Sequence, residues 1–135
     1  MPGYSGASLP KKLGLKARMT LVTIGAPKEY RDWLGPLPDD FRISSRAARP
    51  EAVHLFVTRR ADMKARLASL RTQLAPAGFV WVSWPKKPSG VATDITEDTI
   101  REIALPLGFV DIKVCAVSDV WSALKLVIRK SERPA

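Results

Sequence analysis

Ala52-Val-His-Leu-Phe-Val-Thr-Arg-Arg-Ala-Asp-Met-Lys-Ala-Arg-Leu-Ala-Ser-Leu-Arg-Thr-Gln-Leu-Ala-Pro-Ala-Gly-Phe-Val-Trp-Val-Ser-Trp84 is the stretch on which the fold turns. Residues 52–57 are nearly all apolar and rich in strand formers, the pattern of a strand covered on both faces. Over about residues 60–74, Met63, Leu67, Leu70 and Leu74 recur at helical spacing, while Lys64, Arg66 and Arg71 fall mostly off that stripe. Asp62 and Arg66 stand one turn apart, where they can pair. Pro76 and Gly78 close the helix, and residues 79–84 read as a second buried strand stopped by Pro85.

Upstream, Met19 to Gly25 predicts another buried strand. Pro27 suits the first position of a short helix whose Tyr30, Trp33 and Leu34 share a face and which Gly35-Pro36 ends. Residues 41–44 alternate like a short edge strand. Seven residues separate them from Ala52, short of the usual dozen for a helical crossover. Either residues 45–51 cross as bare loop, or the 41–44 strand does not exist. Downstream, Thr96-Glu-Asp-Thr starts a helix with a hydroxyl cap and acids in the first turn. Ile100, Ile103, Ala104 and Leu107 form its buried stripe, and Pro106 ends its regular part. Residues 109–117 and 121–128 read as an antiparallel hairpin about Ser118-Asp119.

Strands alternating with helices predict an α/β fold: a three-layer, Rossmann-like sandwich with a mostly parallel sheet ending in an antiparallel hairpin. The expected division is an extended N-terminal arm over 1–18, one domain over 19–130 and a tail over 131–135. A chain of 135 residues suits one core, and 46% hydrophobic against 26% charged residues excludes a disordered chain. No apolar run reaches membrane-span length, and no secretory signal is apparent. With one cysteine and one histidine, a Cys/His zinc site and an internal disulfide are not expected, nor any other metal site, and a reducing cytoplasm is. The net charge of +9 points to an anionic partner.

The element order resembles a reduced class I methyltransferase fold, whose doubly wound sheet ends in a helix and an antiparallel hairpin. Leu74-Ala-Pro-Ala-Gly-Phe-Val-Trp-Val is similar to that family's Leu-x-Pro-Gly-Gly turn and the strand after it. Ser83-Trp-Pro-Lys-Lys-Pro-Ser-Gly-Val-Ala-Thr-Asp-Ile-Thr-Glu-Asp98, with Gly3-Tyr-Ser-Gly6, Leu9-Pro-Lys-Lys-Leu-Gly14, Gly35-Pro-Leu-Pro and Lys113-Val-Cys-Ala-Val, resembles the bacterial family catalogued as domain of unknown function 3052. That second resemblance brings no activity with it.

The methyltransferase resemblance implies three features for S-adenosylmethionine: a glycine-rich turn after the first strand, an acid ending the second for the ribose hydroxyls, and polar or acidic groups after the fourth. Here the first turn is Gly25-Ala-Pro-Lys-Glu, the second strand ends in Ser44-Ser45-Arg46, and Thr58-Arg-Arg follows Val57. All three depart from the pattern, so neither methyl transfer nor a bound cofactor is expected. Ser45-Arg46 resembles a 2′-phosphate clamp for NADP, but no Gly-x-Gly-x-x-Gly turn accompanies it.

Ligands of open parallel sheets bind beyond the carboxyl ends of the strands, where helix N-termini favour anions. Arg46, Arg49, Arg59, Arg60, Lys86 and Lys87 are expected on that rim, among Ser44, Ser45, Thr58, Ser89 and Thr93. The expected site is an anion clamp: Lys86 and Lys87 on a phosphate-bearing small ligand, Ser89 and Gly90 as donors, Arg46 and Arg59 completing it, with Trp84 and Thr93 at its mouth. Solvated loop charges explain the same residues equally well.

The remaining residues read mostly as structure. His54 is expected to be a packed core histidine with no nucleophile beside it, and Cys115 a small hydrophobe. Ser83 and Ser89 have no base that spacing identifies. Asp94, Glu97 and Asp98 are assigned to capping the helix that follows them. Trp84, beside two lysines, could stack on a base, whereas Trp33, Trp81 and Trp121 read as core. Two other classes stay open: a nucleic-acid binder, though no helix carries a basic stripe with interleaved aromatics, and a protein-interaction module that lost the cofactor site. Oligomeric state is not legible.

Overall fold

The computed structural model describes residues 7–133. Six strands form one sheet: β1 (Thr20–Ile24), β2 (Arg42–Ser44), β3 (Ala52–Phe56), β4 (Phe79–Pro85), β5 (Phe109–Ala116) and β6 (Trp121–Ile128). The helices are α1 (Leu9–Leu13), α2 (Tyr30–Leu34), α3 (Arg60–Gln73) and α4 (Glu97–Ala104), with short 3-10 turns at Lys87–Ser89, Leu105–Leu107 and Lys130–Glu132. The strand order is β2-β1-β3-β4-β6-β5. The first four strands in that order run parallel, and β6 is antiparallel to both its neighbours.

Alternation along each strand sorts side chains onto two faces. Val53, Leu55, Val80, Val82, Leu124 and Leu126 meet the apolar stripes of α3 and α4, including Met63, Leu67, Ile100 and Ile103. Leu21, Ala52, Phe56, Phe79, Trp81 and Ala123 meet Leu9, Leu13, Leu15, Tyr30 and Leu34 on the other side. Helices on both faces make three layers. β3 and β4 are buried along their whole length, which is why their sequences read as unbroken apolar runs. Among the described residues, no helix is long and apolar enough to cross a membrane.

The structure decides the open question at residues 45–51. β2 is a real strand, in parallel register with β1. Seven residues of extended chain span at most about 25 Å, enough to return past strands this short without a helix. Arg49 takes a positive φ of 48° in that loop, and the buried Pro50 carbonyl accepts from Ala75 N–H.

Three expectations need correction here. Residues 9–13 of the expected extended arm form α1, capped by Ser8, and Leu9, Leu13 and Leu15 are buried. The Trp81 indole N–H donates to the Leu13 carbonyl at 2.9 Å, so this segment belongs to the second core. Residues 1–6 lie outside the described residues. Pro27 stands in the turn before α2, accepting from Tyr30 N–H, rather than opening the helix. Pro85 lies within β4, not beyond it. β3 ends opposite Ser83, so the missing proline N–H faces no partner strand there.

Candidate functional site

β1 feeds α2 on one face and β3 feeds α3 on the other, so connections diverge between these neighbouring strands. Such a switch point opens a crevice at the carboxyl ends of the strands. A cavity of about 490 Å³ lies there, lined by Ile24, Gly25, Leu55, Phe56, Val57, Thr58, Asp62, Ala65, Arg66 and Trp121. A second, of about 370 Å³, shares Ile24, Gly25 and Arg66 with it and adds Ser45, Arg46 and Gln73. Gly25 holds the two strand ends together: its φ is 72°, and a Cβ would stand 2.8 Å from the Phe56 carbonyl oxygen. Only glycine fits that approach.

Arg46 and Arg66 supply the positive charge of this double crevice, and Asp62 its carboxylate. Asp62 and Arg66 stand one turn apart, where they can pair, yet among the described residues neither forms an ion pair, and neither does Arg46. Both guanidinium groups are exposed and open to an anion.

The eight residues expected to form one clamp are divided by the structure. Arg46 lies in the double crevice. Arg59 is the exposed residue preceding α3 and makes no side-chain cap. Trp84, Lys87 and Thr93 line a separate crevice of about 250 Å³ beyond β4, with Lys86, Ser89 and Gly90 in the adjoining turn. Trp84 is only 8% exposed and packs in the core. The hydroxyls expected to meet a ligand have internal partners. Ser89 Oγ donates to the Lys86 carbonyl and accepts from Val91 N–H. Thr93 Oγ1 donates to the Thr58 carbonyl and accepts from Ile95 N–H.

The capping assignments also shift. Asp94 does not cap the helix that follows it. Its Oδ1 accepts from Arg60 N–H at 2.6 Å, so a carboxylate already occupies the N-terminus of α3, where an anion was expected. Thr96 and Thr99 form the capping box of α4, with Glu97 and Asp98 in its first turn. Replacing Asp94 by alanine is expected to lower stability by about 1 kcal/mol, a typical cap. An unchanged urea midpoint for Asp94→Ala would show that the contact contributes nothing.

His54 is fully buried, as expected, yet it has a nucleophile-type neighbour that spacing concealed. Its Nε2 lies 2.7 Å from Ser83 Oγ, and its Nδ1 lies 2.6 Å from the Tyr30 hydroxyl. Burial, with the Cys115 charge adding, pushes the Tyr30 pKa up, so the phenol keeps its proton and donates to Nδ1. His54 N–H at Nε2 then donates to Ser83. Burial pushes the imidazole pKa down to about 3. Ser83 and His54 are 0% exposed and Tyr30 2%, so no substrate reaches this array, and a base this weak is poorly matched to neutral pH. It organises the core beneath α2, where His54 also stacks on Phe56.

Among the described residues, no group of three His, Cys, Asp or Glu side chains is placed to hold a metal ion. The comparisons now bear on the fold. The chain superposes on a protein assigned as a type 11 methyltransferase from Sulfolobus solfataricus, with TM-score 0.60 and 14% identity, covering 94% of this chain and 93% of that one. It also superposes on TrmN from Thermus thermophilus, with TM-score 0.55 and 13% identity, covering 89% of this chain but 47% of that one. The fold is that of the class I methyltransferases. No protein-family model matches the chain. No curated protein matches it either.

The methyltransferase-like fold sets a chemical test for the crevice. S-adenosylmethionine carries one carboxylate, which a guanidinium suits, against a sulfonium, an ammonium and two ribose hydroxyls, which call for acceptors. Here Arg46 stands just beyond β2, Arg66 faces the same space, and the acid present, Asp62, comes from α3. They suit its carboxylate, but a guanidinium stands beyond β2 where its ribose hydroxyls call for an acid.

Three crevice residues escaped the sequence reading. For Asp62 and Arg66 the sequence offers a possible pairing across one helical turn, and it reads Trp121 as core. Trp121 is half-buried, edge-on to Phe56, and lines the larger cavity. The signal that could have found Asp62 and Arg66 is the α3 face beside its apolar stripe, which follows the switch-point strand; Trp121, on β6, carries no such signal.

Proposed function

We propose that this methyltransferase-fold domain binds a phosphate-bearing small anion in the double crevice at Gly25, without transferring a methyl group. The observation that carries the proposal is the pair Arg46 and Arg66, both without an ion-pair partner among the described residues, at the carboxyl ends of β1 and β3. A guanidinium matches phosphate oxygens in a planar, two-point contact, which an ammonium does not. Thr58 and Ser45 stand in the same lining as neutral hydroxyls. The Lys86-Lys87 turn, with Arg59, contributes field at the rim rather than the seat itself. Within the same reading the protein acts in a reducing cytoplasm, in keeping with its free Cys115, and the resemblance to the bacterial family of domain of unknown function 3052 is retained.

A thermal-shift panel of inorganic pyrophosphate, ADP, NADPH, S-adenosylmethionine and a short oligonucleotide tests this. A ligand at about 100 times its Kd stabilises by roughly 2.7 kcal/mol, several degrees for a chain of this size. Shifts are expected with phosphate-bearing compounds and not with S-adenosylmethionine. Arg46→Ala with Arg66→Ala should abolish them, and Lys86→Ala with Lys87→Ala should only reduce them. Silence across the panel, or a shift with S-adenosylmethionine alone, would sink the proposal.

A further inference from the structure

β5 is the outer strand of the sheet beyond β6, and among the described residues nothing pairs with its free edge. An unpaired strand edge is a row of backbone donors and acceptors. The register shifts between Asp111 and Lys113, so Ile112 is bulged and regular edge remains over Lys113–Ala116. Ile112 and Val114 are 56% and 46% exposed, high values for large apolar side chains on a strand.

The other face of this edge is strongly basic. Lys113 lies directly opposite Lys125 in the β5–β6 pairing. Like charges so placed are destabilising. Lys11 and Lys12 of α1 join Lys113 around a groove of about 440 Å³ that also takes in Cys115 and Ala116. Among the described residues, none of these lysines makes an ion pair. Lys125 lies over the Phe79 ring at 4.3 Å, and its pKa is lowered by burial first, then by Lys113 and Lys16.

We infer that this edge receives an acidic polypeptide segment in extended form, added to the sheet as a strand beside β5. Alternate side chains of an added strand point to opposite faces. Its acidic residues meet Lys12 and Lys113 on the α1 side, and its apolar residues meet Val114 on the other. The backbone edge fixes the register and the lysines choose the partner. Lys113 bars a second copy of this same basic edge, as edge lysines do in general, but welcomes a carboxylate. A nucleic acid fits less well, because among the described residues the patch exposes no aromatic ring for a base to stack on; Phe79 and Trp81 are buried. This inference is independent of the Gly25 crevice.

The test is fluorescence anisotropy of the whole protein with a short labelled peptide of alternating Glu and Val. A Glu-Pro repeat of equal charge and a thymidine oligonucleotide serve as comparators. The Glu-Val peptide is expected to bind on the order of tenfold more tightly than the Glu-Pro repeat, in which every second residue lacks a backbone N–H and is held off strand geometry. Lys12→Glu with Lys113→Glu should weaken it by a similar factor while leaving Tm equal or higher, since like-charge repulsion is relieved. Equal binding of the two peptides, tighter binding of the oligonucleotide, or no binding by the wild type would each overturn the inference.

Discussion

Between pH 7 and pH 5 the wild-type protein is expected to lose about 2 kcal/mol of stability, and His54 alone is responsible. The native imidazole stays neutral down to about pH 3, because full burial penalises its charged form. In the unfolded chain it takes a proton near pH 6.5. Below that value the unfolded state binds the proton that the folded state refuses, so acid favours unfolding. The stability is fully present above about pH 6.5 and falls by on the order of 1 kcal/mol per unit below it, until about pH 3. His54 is the single histidine of the chain, and few ordinary carboxylates titrate above pH 5, so this window isolates it. Urea midpoints, or a Tm falling by on the order of 5–10 °C, check it. His54→Gln should be less stable at pH 7, since Tyr30 and Ser83 lose their buried partner, but its profile across the window should be flat. A flat wild-type profile would show that the ring takes up a proton without unfolding the protein.

Leu13→Ala is expected to cost about 3 kcal/mol, within the usual range for a fully buried leucine. Leu13 is 0% exposed, packs in the second core, and its carbonyl accepts the Trp81 indole N–H. The substitution opens a cavity against Trp81 at the centre of the sheet. The loss should appear as a lower urea midpoint and a weaker near-ultraviolet tryptophan signal. Lys11→Ala, on an exposed position of the same short helix, should stay within about 0.5 kcal/mol of wild type. If the two variants behaved alike, the segment would be an ornament on the domain rather than one of its layers.

The long elements were legible because their signals are local and repeated. The α3 stripe and the apolar runs of β3 and β4 each carry several mutually consistent residues, so no tertiary information was needed to read them. β2, with three residues, is too short for that, and its pairing with β1 is what identifies it. α1 escaped because five residues with a proline carry little helical signal alone. Packing on Trp81 and the Ser8 and Gly14 caps hold it.

The candidate site was legible as a location and not as a membership. Element order alone directs attention to the carboxyl ends of the strands, since the divergence of connections follows from topology. Which cations share a crevice there does not follow. Arg46, Arg66 and Trp121 come from a loop, a helix and the last strand; the two arginines meet because β1 lies between β2 and β3, and Trp121 joins because β6 inserts between β4 and β5. Likewise Tyr30, His54 and Ser83 lie 24 and 29 residues apart and meet only in the folded sheet. The hydroxyls of Ser89 and Thr93 looked available in the sequence because their backbone partners are set by loop conformation.

By itself the sequence determined the α/β class, the helix and strand periods of the long elements and the basic character of the chain, all properties summed over many residues. Tertiary structure decided the strand order, the role of residues 9–13, the acid lodged at the start of α3 and the grouping of side chains at Gly25. Those depend on single contacts between segments distant in sequence, and such contacts leave no periodic trace along the chain.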